Sequence, residues 1–276
     1  MAAAWPTVGT VQVNGVRLGY RECGDPGGVP AVLLHGTGSR HDTWDRLASR
    51  LTGYRVVAVN LRGHGDSERC RNYSLNALRV DLLGVLEALS LRDTVMVGHS
   101  IGGYVALATA LHSPGRVARL VLEDPAVPPR GAVPLGAAAP LPAGPDRVGP
   151  DRVGRRLVLP SLHGGSRLGM LAAAAGILAA RRDFDLFAMW SIVRQVTRPD
   201  PGWWSCLDEV RQPTLVLSGG PTSCIPPRRL AEMTSRLPDA RLATIPVGHR
   251  VHSLAPDEFF TEVAAFLTAS ARSLAA

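Results

Sequence analysis

"TVMVGHSIGG", residues 94–103, is the stretch on which the reading of the chain turns. Thr94 to Val97 is a short apolar run ending at Gly98, which is how a strand buried on both faces of a parallel sheet looks. The Ala-rich segment Gly102 to Leu111 behind it has the composition of a helix. Gly98, Ser100 and Gly102 together match G-x-S-x-G, in which a sharp strand-to-helix turn lifts a serine hydroxyl from the end of a sheet. Ser100 is therefore a candidate nucleophile. Its plainer alternative is an N-cap serine.

The pattern repeats along the chain. "PAVLLHG" (30–36), "RVVAVNLRGHG" (55–65), "RLVLEDP" (119–125) and "TLVLSGG" (214–220) are further apolar runs, and Leu75 to Leu89 carries apolar residues at helical spacing. "TVQVNGVRLGYREC" (10–23) alternates around Asn14-Gly15 as a hairpin does. Strands alternating with helices predict a parallel sheet covered on both faces. The alternation stops between about Val127 and Trp204. Glycine and proline are dense from Pro128 to Gly154, and residues 168–180 and 184–196 then read as two apolar helices. The chain accordingly divides into a core of residues 1–126 and 205–276 and a helical lid of residues 127–204. A helix from Pro227 to Leu237, a strand from Ala240 to Ile245 and a helix from Pro256 to Ser270 complete the expected order.

Composition narrows the class. The 276 residues are 46% hydrophobic, enough for one large domain with an insertion. No apolar run reaches the roughly 18 residues that span a membrane. Met1 to Pro6 lacks a basic region followed by an apolar core, so the cytoplasm is the expected location. The net charge is +7 and every basic residue is arginine. The arginines are scattered and no basic stripe accompanies them, so no nucleic acid partner is expected. Cys23, Cys70, Cys206 and Cys224 show neither metal-ligand nor disulfide spacing, and no metal or cofactor is called for.

A serine needs a base whose pKa lies near the working pH, which means histidine, titrating near 6 to 7. "PVGHRVH" (246–252) follows the last strand. His249, directly after Gly248, is read as the base, and His252 as a pocket or helix-start residue. His35, His64 and His99 sit beside glycine turns and are expected to satisfy local backbone groups. "HGTGS" (35–39) is a Gly-rich turn that can aim backbone N–H groups at a developing oxyanion. Thr37 is the expected donor there, with Ile101 at the start of the helix as the second.

"LLHGTGS", "NLRGHGDS", "VGHSIGG", "RLVLEDP" and "VGHRVH", in this order and spacing, resemble the α/β-hydrolase superfamily over nearly the whole chain. The resemblance implies an eight-stranded, mostly parallel sheet, a helical lid between strands six and seven, and the order Ser, acid, His. It assigns Ser100 as nucleophile and His249 as base. Many members carry the acid in the turn after strand seven, where this chain reads Gly219-Gly220-Pro221-Thr222-Ser223 and has no carboxylate. The superfamily's other position, just past strand six, is occupied by Asp124. Its alternative role is to cap the turn before Pro125, leaving a Ser–His dyad. Glu123 must leave the opposite face of the strand and is expected to matter little.

These residues predict a serine hydrolase acting through an acyl-enzyme on a carboxylic ester, lactone or thioester, with no cofactor. The same triad also serves cofactor-free perhydrolysis and carbon–carbon bond hydrolysis, and the fold also serves as a non-catalytic ligand binder. The apolar lid favours a small hydrophobic substrate. Gly36, His99, Phe187, Trp190 and His252 are the candidate pocket residues, with Leu168, Met170, Leu171, Phe184, Met189, Trp203 and Trp204 available to line or support it.

Overall fold

A computed structural model describes residues 5–131 and 184–273. Its strands are β1 (Thr7–Val13), β2 (Val16–Gly24), β3 (Val29–Leu34), β4 (Tyr54–Val59), β5 (Thr94–His99), β6 (Val117–Glu123), β7 (Thr214–Ser218) and β8 (Ala240–Thr244). They form one eight-stranded sheet in the order β1-β2-β4-β3-β5-β6-β7-β8. Only the pairings of β2, with β1 and with β4, are antiparallel. The described helices are α1 (Asp45–Ala48), α2 (Leu75–Ala88), α3 (Ile101–His112), α4 (Leu186–Val196), α5 (Pro201–Ser205), α6 (Pro227–Arg236), α7 (Val251–Leu254) and α8 (Pro256–Ser273). None is long and apolar enough to cross a membrane.

The apolar runs become central strands because both their faces are covered. Val32 and Leu34 of β3, Met96 of β5 and Leu120 and Leu122 of β6 face α2 and α3, meeting Leu78, Leu82 and Val105. Ala31, Leu33, Val95, Val97 and Val121 face the other way, toward Trp44, Leu47, Phe259 and Val263 of α1 and α8 and the turn before α1. Each fully buried Leu, Val, Ile or Phe contributes roughly 1.5–3 kcal/mol. The β1–β2 hairpin turns at Asn14 and Gly15, whose φ values are 46° and 74°, the double left-handed turn that Asn-Gly favours. The expected strand at 55–65 stops at Val59. The residues after it form a turn, with Gly63 and Gly65 at φ 74° and 53°.

The two ends of the insertion after β6 are stitched together. Asp200 N–H donates to Pro129 O at 3.0 Å, and Trp204 Nε1–H donates to Pro128 O at 2.9 Å. Helix α4 docks on the segment before α2: Gln195 accepts from Leu75 N–H and donates to Tyr73 O, and Tyr73 donates its hydroxyl to Asp185. The expected helix at 168–180, with Leu168, Met170 and Leu171, lies outside the described residues, as does most of the Gly- and Pro-dense stretch.

The glycines of the quoted stretch permit strand β5 and helix α3 to close on each other. A Cβ on Gly98 would stand 2.5 Å from the Gly102 carbonyl, and one on Gly102 would stand 2.3 Å from Leu34 O. Gly102→Ala is therefore expected to destabilise the fold by roughly 1–3 kcal/mol, the usual cost of overpacking. Urea unfolding monitored by tryptophan fluorescence measures it, and an unchanged midpoint would mean that the helix has room to retreat.

Candidate active site

Ser100 stands between β5 and α3 at φ 52° and ψ −116°. A non-glycine residue held there costs on the order of 1–3 kcal/mol and persists only if its surroundings impose it. Here they do. Ser100 N–H donates to Glu123 O at 2.9 Å, and Ser100 O accepts from Ala126 N–H at 3.0 Å and Tyr104 N–H at 3.1 Å. The hydroxyl caps nothing. Ser100 Oγ has no hydrogen-bond partner among the described residues.

Asp124 sits one strand away, directly past β6, also at positive φ (42°). Its side chain is wholly buried. Oδ1 accepts from Gly219 N–H at 3.0 Å, and Oδ2 accepts from the Ser223 hydroxyl. His249 Nδ1 lies 2.6 Å from Oδ2. The turn after β7, which carries no carboxylate, thus supplies two donors to the carboxylate that arrives from β6. Ser223 is a site residue that sequence reasoning missed; its only signal is a serine in a turn expected to hold an acid.

His249 is held by a loop pivoting on Gly248 (φ 95°). Burial disfavours its charge, but the hydrogen bond to Asp124 and the nearby Cys224 thiol outweigh this and lift its pKa to about 9. With Nδ1–H directed at Asp124, Nε2 is the nitrogen left to accept a proton. The expected titration near 6 to 7 is displaced upward because the imidazolium meets a buried carboxylate instead of water.

The other histidines are sorted differently. His35 Nε2 accepts from Leu61 N–H, so Nδ1–H donates to Gly36 O. His64 Nε2 accepts from Gly38 N–H, and its Nδ1–H donates to Arg62 O. Both serve the backbone, as expected. His99 and His252 need correction as pocket residues. His99 is 4% exposed; its Nε2–H donates to His249 O, and burial lowers its pKa to about 4. His252 is 5% exposed and lies between Glu123 and Thr43. Neither is placed to line an open pocket. Glu123 does leave the opposite face of β6, as expected, but it is not idle there.

Gly36 lies beside the serine: a Cβ on it would stand 2.5 Å from His99 Nδ1 and 3.2 Å from Ser100 Cβ. The 35–39 turn therefore abuts the serine. Phe184 lies over the same turn. A Cβ on Gly38 would stand 3.6 Å from the Phe184 ring, which stacks on His64 with centroids 6.0 Å apart. Phe187 and Trp190 form an aromatic group with Tyr73 on α4, and no hydrogen bond or ring contact among the described residues joins them to Ser100 or His249. A separate apolar cavity of about 220 Å³, lined by Tyr104, Leu107, Trp203 and Cys206 among others, includes none of these site residues.

Residues 31–262 match the model of the alpha/beta hydrolase family, and the chain belongs to that family. It is 32% identical over 257 residues to the sn-1-specific diacylglycerol lipase of Mus musculus, covering 87% of this chain and 81% of that protein. It is 35% identical over 230 residues to the pimeloyl-[acyl-carrier protein] methyl ester esterase of Aromatoleum aromaticum, covering 77% and 87%. Its fold is similar to that of a hydrolase from Pseudomonas aeruginosa, with a TM-score of 0.72 at 23% identity, covering 95% and 98% of the two chains.

Two outcomes test this geometry. Ser223→Ala removes one donor from the buried carboxylate, and a hydrogen bond to a charged group contributes about 1.5–3 kcal/mol. It should lower stability by that order in urea unfolding; no change would mean that the Ser223 hydroxyl does not hold Asp124. The second outcome concerns pH. His249 holds its proton more tightly folded than unfolded, so the pair's stabilisation is whole below about pH 6.5 and is lost as pH rises through about 9. Unfolding free energies at pH 6 and pH 10 should differ more in the wild type than in His249→Gln. Equal differences would remove the pairing.

Proposed function

We propose that the protein is a serine hydrolase that cleaves a carboxylic ester, lactone or thioester bearing a hydrophobic group. The observation that carries this reading is the 2.6 Å contact of His249 Nδ1 with buried Asp124, one strand from a serine held at φ 52°. Ser100 Oγ attacks the carbonyl carbon, and His249 Nε2 takes its proton. Asp124 fixes the tautomer and stabilises the imidazolium. The N–H groups of Thr37 and Ile101 hold the oxyanion: neither meets an acceptor among the described residues, and Ile101 opens helix α3, whose first N–H groups lack partners within the helix. The proton then passes to the leaving group, and water resolves the acyl-enzyme with His249 again as base. No step calls for a metal or cofactor.

Two features support a hydrophobic substrate. Phe187, Met189 and Val193 of α4 are exposed apolar side chains on the insertion. Among the relatives, the mouse protein is a diacylglycerol lipase and the Aromatoleum protein a methyl ester esterase.

Ser100→Ala should abolish hydrolysis of p-nitrophenyl esters and labelling by a fluorophosphonate probe, with a loss on the order of 10⁶-fold in kcat. A variant retaining a tenth of wild-type turnover would exclude Ser100 as nucleophile. The pH profile is a second test. kcat/KM reports the free enzyme, so it should still be rising between pH 7 and 9, following His249. In Asp124→Asn the limb should fall toward about 6.5 and kcat should drop by two or more orders of magnitude. A wild-type profile level above pH 7, with chemistry limiting, would overturn the pairing in the working enzyme.

A further inference from the structure

The residues immediately before the nucleophile and before the acid are partners. His99 and Glu123 lie opposite each other across β5 and β6. Their side chains leave the sheet on the face of Val97 and Val121, toward Trp44 and Phe259. There both reach the segment that carries the base. His99 Nε2–H donates to His249 O at 2.8 Å. Glu123, wholly buried, accepts from His252 N–H at 2.9 Å and from His252 Nδ1 at 2.7 Å. The far nitrogen of that ring, Nε2, lies 2.6 Å from Thr43 Oγ1. The ring packs against Trp44, Phe259 and His99, with centroids 4.5, 6.2 and 5.2 Å away.

A carboxylate removed from water is costly unless both oxygens are paired, and an apolar pair filling the same space is generally no less stable. What the polar pair supplies is direction. Glu123 grips both the ring and the backbone of His252, so it sets the height and the rotation of the loop. Between the carbonyl held by His99 and the N–H held by Glu123 lie only Arg250 and Val251, and Val251 is fully buried. His249 has little backbone freedom left.

We propose that Glu123 and His252 are positioning residues, which with His99 clamp segment 249–252 to the strand ends bearing Ser100 and Asp124 and so hold the His249 ring on Asp124. The role of this clamp in turnover rests on the reading of His249 as the base. Glu123 touches neither substrate nor reacting atoms in this scheme; it acts through His249. Its effect should therefore fall on kcat and not on KM, and should vanish once the His249–Asp124 contact is already lost.

The test compares the wild type, Glu123→Gln, Asp124→Asn and the double variant on one p-nitrophenyl ester. Glu123→Gln should lower kcat by about tenfold or more with KM changed less than about twofold. In the Asp124→Asn background the same substitution should cost almost nothing more, since residues acting as a unit are not additive. Thr43→Val releases the outer end of the His252 ring without changing any charge. It should give a smaller loss of the same kind, and it decides the matter should Glu123→Gln fail to fold. A folded Glu123→Gln with wild-type kcat, or an equal proportional loss in both backgrounds, would overturn the clamp.

A titration of the His249 imidazole by NMR separates this proposal from the reading of the active site, because it needs no turnover. Asp124, Cys224, His99 and His252 are the titratable groups near His249. Thr43→Val adds and removes no ionisable side chain and leaves Asp124 in place, so a midpoint moving down from about 9 toward the 6.5 of a free imidazole reports a loosened His249–Asp124 contact. An unmoved midpoint in both Thr43→Val and Glu123→Gln would overturn the clamp even if the wild type proves to have no esterase activity.

Discussion

Everything in the site depends on one register, the pairing of β5 with β6 that sets His99 opposite Glu123. Because these two strands are parallel and in step, Ser100 and Asp124 leave the sheet at the same level, as neighbours. The backbone enforces it: Ser100 N–H reaches Glu123 O, and Ser100 O receives Ala126 N–H from beyond the acid. A slip of one residue in either strand would turn that strand's side chain to the other face. Two residues at positive φ, each a cost on its own, are thus held from outside: Ser100 by Glu123 and Ala126, and Asp124 by its N–H, which donates to Leu217 O of β7 at 2.7 Å. Strain at a working residue is tolerated where the surrounding pairing over-determines it.

With a carboxylate past β6 and none past β7, the β7 turn acts as a donor. A carboxylate buried at the end of β6 needs donors, and the turn supplies Gly219 N–H and the Ser223 hydroxyl. The turn has no room for much else. A Cβ on Gly219 would stand 2.1 Å from Gly248 O, so the β7 turn and the His249 loop are in van der Waals contact. Gly219 N–H binds Asp124, while Gly219 O receives Gly248 N–H at 2.8 Å. One peptide group after another ties Asp124, the β7 turn and the His249 loop into a single unit.

Much of this was legible in the residues themselves. The apolar runs ending in glycine marked the central strands, because burial on both faces leaves no other composition for a strand. Ser100, Asp124 and His249 stand out in the sequence because chemistry restricts the residue types and the strand ends restrict their places, and the fold brings Asp124 and His249 into contact. The antiparallel placement of β2 was foreshadowed by Asn14-Gly15, a purely local signal. Ser223 was not legible, since a hydroxyl that serves a buried carboxylate looks like any turn serine until the fold brings the two together. Alternation correctly sent Glu123 to the far face of β6, but it carried no information on what waits there. His252 comes from 129 residues further along, and only the tertiary fold shows that the histidine three residues after the base belongs to the core and not to the pocket.

The four histidines around the serine show how one side chain is given different tasks by its first hydrogen-bond partner. His35, His64 and His99 each direct an N–H at a backbone carbonyl: Gly36 O, Arg62 O and His249 O respectively. A carbonyl dipole does not offset the loss of hydration, so burial wins. His64 and His99 fall to about 4, and the same cause holds His35 well below its ordinary value. They stay neutral, which suits groups whose task is to fix loops in a region where a second charge would oppose an imidazolium. His249 is only partly buried, points Nδ1 at a full negative charge, lies beside Cys224, and is lifted to about 9. The carboxylate acceptor and the shallower burial act in the same direction. Where several imidazoles gather, one is thus set apart from the rest by a single carboxylate aimed at a single ring, and the hydrogen bonds that aim Asp124 are as much a part of that arrangement as the carboxylate itself.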